Sequence, residues 1–160
     1  MEQLMEKLKV EILLFEDKYT TDFAELNFEW LRKYFYIEEY DRKVLQNPSE
    51  YILKPGGQIL FARVNDKIVG TVALINREEE GYELSKMAVT EEFKGLRIGQ
   101  KLMYACLDYA GQAGINRVFL DSNRKLTPAL RLYEKVGFKE IPVPTDTPYE
   151  RCDIRMELYL

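Results

Sequence analysis

Two short segments hold the residues best suited to chemistry. Residues 90–100, TEEFKGLRIGQ, leave a strand-like run and enter an amphipathic helix. Gly95 and Gly99 permit close backbone approach, and Lys94 and Arg97 add positive charge. Amides at the start of a helix have no partner one turn behind and can hold an anion. That chemistry suits a phosphate-bearing ligand, above all a diphosphate. A plain strand-to-helix turn needing two glycines would show the same letters. A P-loop is excluded because no Gly-Lys-Ser/Thr follows, and the third glycine of a Rossmann GxGxxG fingerprint is missing. The second segment, TPALRLYEKVGF (127–138), puts Tyr133 on one helix face with Leu126, Ala129 and Leu130. Its phenol is either a core group or a proton donor to a leaving group.

The chain has no histidine, which removes Ser-His-Asp and Cys-His hydrolases and the common His-rich metal sites. No metal is expected. Cys106 and Cys152 lie far apart, outside metal-ligand spacing, and read as two buried thiols in a reducing cytoplasm.

A frame of strands and helices must position these segments. Residues 9–15 read as a strand. Phe23, Leu26, Asn27, Trp30, Leu31 and Tyr34 fall on one helical face, capped by Asp22 or a preceding threonine. A second helix over 38–45 stops before Asn47-Pro48. Gln58–Val64 and 67–75 form a hairpin turning at Asn65-Asp66, and Tyr82–Val89 is a third strand. Ile98, Leu102, Ala105, Cys106, Tyr109 and Ala110 form the buried stripe of the next helix. A strand over 117–121 completes a strand–helix–strand unit, which makes its strands parallel. Thr127 caps the last helix, Pro128 opens it and Gly137 ends it, with Phe138 folding back onto Tyr133. Two closing strands surround the loop 142–148. The order predicts one α/β domain over residues 1–160, with a mixed, mostly antiparallel central sheet and flanking helices.

Bulk properties narrow the partners. Hydrophobic residues make up 46% and charged residues 31% of 160, which suits one globular domain. A net charge of −4 and scattered Lys and Arg argue against nucleic acid. No apolar run approaches the roughly 20 residues that span a bilayer, so no membrane partner is expected. The N-terminus MEQLMEKLKVE carries acids and lacks an apolar leader, which points to the cytoplasm.

Together the two segments resemble the GNAT superfamily of N-acetyltransferases, and the resemblance extends over essentially the whole chain. The family's phosphate loop reads Arg or Gln, two residues, Gly, one residue, Gly or Ala. Lys94 stands in the first place, Arg97 where the first glycine is usual, and Gly99 in the second glycine place, with Gly95 as the extra glycine. MAVT (87–90) resembles the strand end whose backbone holds a pantetheine arm. LYEKVGF (132–138) resembles the second motif, with Tyr133 at the general-acid position.

The resemblance implies that acetyl-CoA lies between two splayed parallel strands, Tyr82–Val89 and 117–121. Met87, Ala88 and Val89 would run along the pantetheine, while Lys94, Gly95, Leu96, Arg97, Ile98, Gly99 and Gln100 would hold the diphosphate. An amine on a small molecule or peptide would attack the thioester directly. A backbone N–H near Ala88 or Val89 would polarise the carbonyl, and Tyr133 would protonate the thiolate. Glu83 is the candidate base, the alternative being a surface strand glutamate. Period-2 alternation puts it on one face with Ser85, Met87 and Val89, barring a bulge. Glu38, Glu39 and Asp41 form an acidic cluster where relatives contact their acceptor. It is read either as an attractor of a cationic amine or as a solvated helix face. Tyr36 and Tyr40 share a face with part of it, and Trp30, Tyr34 and Phe35 read as core or pocket wall.

Two departures stand out. Arg97 strengthens phosphate binding if its backbone adopts the glycine's conformation, and weakens it otherwise. Leu126 replaces the asparagine often found three residues before Ala129, and Asn123 is offset from that place. A homodimer through the C-terminal strands is also implied. The competing readings are a non-catalytic acyl-CoA-binding sensor and a structural dimerisation domain with a decayed site.

Overall fold

The computed structural model describes residues 8–145 and 151–160. Strand β1 (Val10–Leu14) leads to helices α1 (Thr20–Tyr34) and α2 (Glu39–Gln46). Strands β2 (Gln58–Val64), β3 (Lys67–Asn76) and β4 (Tyr82–Val89) follow, then α3 (Ile98–Gln112) and β5 (Arg117–Ser122). Helix α4 (Thr127–Val136) and strands β6 (Lys139–Ile141) and β7 (Ile154–Tyr159) close the chain. The strands form one sheet in the order β1-β2-β3-β4-β5-β7-β6. Every neighbouring pair is antiparallel except β4–β5. This is the mixed, mostly antiparallel architecture expected from the sequence. No described helix is long and apolar enough to cross a membrane.

Turn chemistry fixes the joints. Asn65 and Asp66 both have positive φ, 50° and 64°, as a two-residue type I′ hairpin requires. At Gly57 an added Cβ would lie 2.3 Å from the Leu74 carbonyl oxygen, so only glycine fits. Gly137 ends α4 at φ 118°. The Phe138 amide then bonds the Tyr133 carbonyl at 3.0 Å, and the two rings pack edge-on with centroids 6.2 Å apart. The helix starts differ from expectation. Tyr19 precedes α1 as its N-cap, and no side chain caps the helix. The Thr20 hydroxyl donates to the Asp17 carbonyl instead, while Asp22 sits inside the first turn, where the helix dipole favours an acid. Thr127 is the first residue of α4, after Leu126.

Two cores flank the sheet. On one face α3 buries Leu102, Met103 and Cys106 against Leu60, Val72, Leu84 and Leu120. Met103 and Leu107 are buried, whereas Ala105 and Tyr109 are only partly covered, so the buried stripe is rotated from the expected one. Gly70 lets α3 approach, since a Cβ there would stand 3.0 Å from both Ile98 Cγ2 and Leu102 Cδ1. On the other face α1 and α2 bury Phe23, Phe28, Leu31 and Leu45 against Phe61 and Ile75.

Strand β4 has two irregularities that shape the site. It pairs with β5 only at Tyr82–Val118 and Glu83–Phe119. Beyond them the β5-facing edge of Leu84–Val89 has no strand partner among the described residues. Its register with β3 also slips between Ser85–Ala73 and Ala88–Thr71, and Lys86 takes φ 55°. This is a β-bulge, and it overturns the expected single face. Glu83 and Ser85 lie opposite Ile75 and Ala73 on the α1/α2 side. Met87 and Val89 pack on the α3 core.

Candidate active site

Where β4 and β5 part, a cavity of about 990 Å³ opens. Its walls are the two diverging strands, the 93–100 loop, the end of α1, Pro128, Ala129, Leu132 and Tyr133 of α4, and Arg151 with Cys152. Met87, Ala88, Val89, Lys94, Gly95, Arg97, Ile98, Gly99, Gln100, Glu83 and Tyr133 all line it. Leu96 does not, and packs toward the α3 core.

The loop forms an open cradle. The Thr90 amide bonds the Val69 carbonyl at 2.9 Å, and the Phe93 amide bonds the Thr90 carbonyl at 3.1 Å. Gly95 turns the chain at φ 97°, and Arg97 precedes α3 in the left-handed region at φ 57°, ψ 32°. Arg97 therefore adopts the conformation that glycine takes without strain, at a cost of about 1–2 kcal/mol. The first bond of α3 runs from the Lys101 amide to the Arg97 carbonyl at 3.0 Å. The amides of Ile98, Gly99 and Gln100 thus have no carbonyl one turn behind them. Nothing stands within 4 Å of where a Cβ would lie at Gly95 or Gly99. The cradle has room for an anionic group.

The end of α1 ties the cradle down. Lys94 Nζ reaches Glu91 and the Tyr34 hydroxyl, each at 2.8 Å, and Lys33 pairs with Glu91. Glu29 accepts from the Thr90 hydroxyl at 3.1 Å and from the Glu91 amide at 3.2 Å. Across the cavity mouth, Lys125 donates to the Tyr34 carbonyl at 2.7 Å and lies 3.9 Å over the Phe35 ring. Trp30 packs on Tyr34 and Phe35. These aromatics are pocket wall, one of the two expected roles.

Tyr133 and Glu83 are among the titratable groups that line the cavity. Burial pushes the Tyr133 phenol up to about 12, with a Ser122 hydrogen bond pulling the other way. Glu83 is 3% exposed and accepts from Arg77 Nε at 2.7 Å. Desolvation raises its carboxyl above the ordinary range, opposed by Arg77 and then Lys86, while Asp121 adds to the rise. It is not a surface strand glutamate.

The acidic cluster is split: Glu39 is exposed on the helix face, while Glu38 is half-buried and Asp41 lies inside. Asp41 is fully buried, and with Glu38 it forms the capping box of α2. Arg151 grips both: Nη1 lies 2.6 Å from Glu38 Oε2, and Nη2 lies 2.8 Å from Asp41 Oδ1. Neither Glu38 nor Tyr36 lines the cavity, and Tyr36 is 57% exposed. Tyr40 accepts from Arg77 Nη1 at 3.4 Å. Asp121, also on the wall, is held by Arg155 at 2.6 and 2.9 Å. Asn123 donates to the Arg151 carbonyl at 2.7 Å and accepts from the Lys125 amide at 3.0 Å, so it fastens Arg151 to the end of β5. Of the two thiols only Cys106 is buried, its thiol pushed up to about 12. Cys152 is half-buried in the cavity wall, because β7 begins beside the opening. Among the described residues no group of three or more His, Cys, Asp or Glu could hold a metal.

Sequence reasoning missed Lys86 and Arg151. Lys86 Nζ stands 3.9 Å from Asp41 Oδ1 with its side chain 6% exposed. A lysine flanked by Glu83 and a motif strand was a visible signal, but alternation sent it to the wrong face.

Residues 21–138 match the family model described as the Acetyltransferase (GNAT) family. The chain belongs to the GNAT acetyltransferase family. An uncharacterized N-acetyltransferase of Mycobacterium bovis is 37% identical over 91 residues, 57% of this chain and 58% of that protein. The chain spans about half the length of the first curated relatives it matches, 46% and 58%. A GNAT-family acetyltransferase from Staphylococcus aureus superposes with a TM-score of 0.84 at 25% identity, over 94% of this chain and 99% of that one. The PaiA N-acetyltransferase of Thermoplasma acidophilum, solved with coenzyme A, shares the fold. Its TM-score is 0.72 at 19% identity, over 95% of this chain and 99% of that one. Within this GNAT framework the splay of β4 from β5 and the amide cradle are the features that bear on function.

Proposed function

We propose that this chain is an acetyl-CoA-dependent N-acetyltransferase acting on a primary amine of a small molecule or peptide by direct attack. One observation carries the reading: the β4/β5 splay opens onto the 95–100 amide cradle, with Tyr133 and Glu83 both lining the same cavity. The PaiA relative solved with coenzyme A supports the donor. The open positions at Gly95 and Gly99 and the first-turn amides of α3 fit its diphosphate. Bound acetyl-CoA supplies an activated thioester.

The chain's own groups then divide the work. The amides of Gly95, Leu96, Arg97, Ile98, Gly99 and Gln100 hold the diphosphate, with Lys94 beside them. Met87, Ala88 and Val89 offer an unpartnered strand edge to the pantetheine, and the Ala88 amide polarises the carbonyl. The amine nitrogen bonds the carbonyl carbon as the carbon–sulfur bond breaks. Tyr133, protonated at neutral pH, gives its proton to the departing sulfur. Glu83 takes the proton lost by the amine, through water. Glu38 and Tyr36 act at most from outside the cavity wall. A homodimer through the C-terminal strands belongs to the same proposal, with the edge strand β6 as its surface.

Thermal titration with acetyl-CoA tests the donor. Saturation at about 100 times the dissociation constant adds roughly 2.7 kcal/mol, a rise of about 5–10 °C for a domain of this size. A thiol-release assay over a panel of primary amines tests transfer. Tyr133→Phe should lower kcat by about 10²–10⁴-fold with donor affinity retained. No thermal rise at saturating donor overturns the reading. Saturable binding without thiol release on any amine selects the acyl-CoA-binding sensor instead.

A further inference from the structure

Lys86 carries two unfavourable features at one cavity position. Its backbone is left-handed at φ 55°, which costs a non-glycine residue about 1–2 kcal/mol. Its ammonium is withdrawn from solvent, with the side chain 6% exposed. Strain of this kind persists where surrounding structure over-determines it, often at functional sites. The bulge explains the placement. Regular alternation would put residue 86 on the face of Leu84, inside the apolar α3 core. The inserted residue re-aims the side chain to the α2 side, where Nζ meets Asp41.

We propose that Lys86 is a positioning residue of the acetyl-transfer site: its ammonium, aimed by the β4 bulge into the Glu83–Asp41 pocket, holds Glu83 as the carboxylate that accepts the amine's proton. The inference rests on the acetyl-transfer reading above. Charged groups act on Lys86 from several elements: Glu83 from β4, Asp41 from α2, Arg151 from the segment before β7, and Arg77 from the turn before β4. Arg77 and Lys86 are the cations that oppose the desolvation of Glu83, while Asp121 from β5 works against them. Burial pushes the Lys86 ammonium itself down to about 8, against the pull of Glu83 and Asp41. Its charge is therefore present through neutral pH, where Glu83 must be ionised, and is lost above about pH 8. The same cation disfavours the ammonium form of an incoming amine, leaving more of it nucleophilic.

The test follows the Glu83 carboxyl by NMR in the full chain with ¹³C-labelled glutamate, the signal assigned by Glu83→Gln. Lys86→Met should move the Glu83 midpoint to higher pH, and Lys86→Arg should restore it. Lys86→Gln serves as the neutral variant if Lys86→Met does not fold. In parallel, kcat/KM is profiled against pH with one amine. The neutral variants should lose more at pH 6 than at pH 9, where Lys86 of the parent protein is largely neutral. The ratio of Lys86→Arg to parent should rise across pH 8, because a guanidinium keeps its charge. A Glu83 midpoint unmoved by Lys86→Met overturns the inference and makes Lys86 a partner of Asp41 alone. A moved midpoint with an unmoved acid limb also overturns it, while leaving acetyl transfer standing. Failure of the parent protein to turn over any amine overturns the transfer reading, and this inference with it.

Discussion

Replacing Arg97 by glycine separates the backbone of the 95–100 amide cradle from its charge, and the two effects have opposite signs. Arg97 sits at φ 57°, ψ 32° immediately before α3, so its Cβ costs about 1–2 kcal/mol there. Glycine removes that strain but gives the unfolded chain more freedom, which takes back about 0.4–1 kcal/mol. The net expectation is a protein more stable by about 0.5–1 kcal/mol, a rise of roughly 1–4 °C in Tm. Donor affinity should move the other way. The Arg97 side chain is exposed, so a guanidinium–phosphate contact there is worth up to about 1 kcal/mol, or about fivefold in Kd. The cradle amides and the cavity-lining Gly95 and Gly99 remain in the variant. Differential scanning calorimetry of the free protein gives the first quantity and isothermal titration with coenzyme A the second. Low salt should widen the affinity gap and high salt close it. Tighter binding by Arg97→Gly would refute the reasoning, since it would mean that the arginine obstructs the diphosphate rather than holding it.

Two further outcomes follow from the packing and charge around the cleft. Gly70→Ala places a methyl 3.0 Å from Ile98 Cγ2 and Leu102 Cδ1, an overpacking worth about 1–2 kcal/mol. A thermal melt should fall by roughly 2–8 °C, and coenzyme A affinity should fall too because the first turn of α3 is displaced. An unchanged melt would show that α3 does not depend on this close approach. Lys86 makes stability depend on pH. Its ammonium is pushed from 10.5 to about 8 in the folded chain, so between those values the unfolded state binds the extra proton and stability rises with pH. The rise is worth up to about 3 kcal/mol. Urea unfolding of the parent minus that of Lys86→Met, measured at pH 8 and pH 10, should show it. A difference that stays flat over that interval would place Lys86 in water.

Elements whose cause is local were legible in the chain. The Asn65-Asp66 hairpin, the Tyr82–Val89 strand and the Gly137 helix end each depend on backbone preferences within a few residues. Their boundaries or turn positions match the structure. The open amides of the 95–100 turn were legible for the same reason, since two glycines and a helix start suffice to leave amides open. The α2 side of the cavity depends instead on partners far apart in the chain. Arg151 and Asp41 are 110 residues apart, and nothing in the EEYD stretch announces that a distant arginine neutralises it. The bulge is the decisive case. Period-2 alternation is a rule about a regular strand, and one inserted residue reverses it for everything that follows. At position 86 regularity would bury a lysine in the apolar α3 core, and the local backbone strain of φ 55° is smaller than the cost of an unpaired charge there. The bulge is thus what the lysine requires of the strand. A charged residue at a position where alternation demands an apolar one, just before a motif strand end, marks where such a strand must break its own rule.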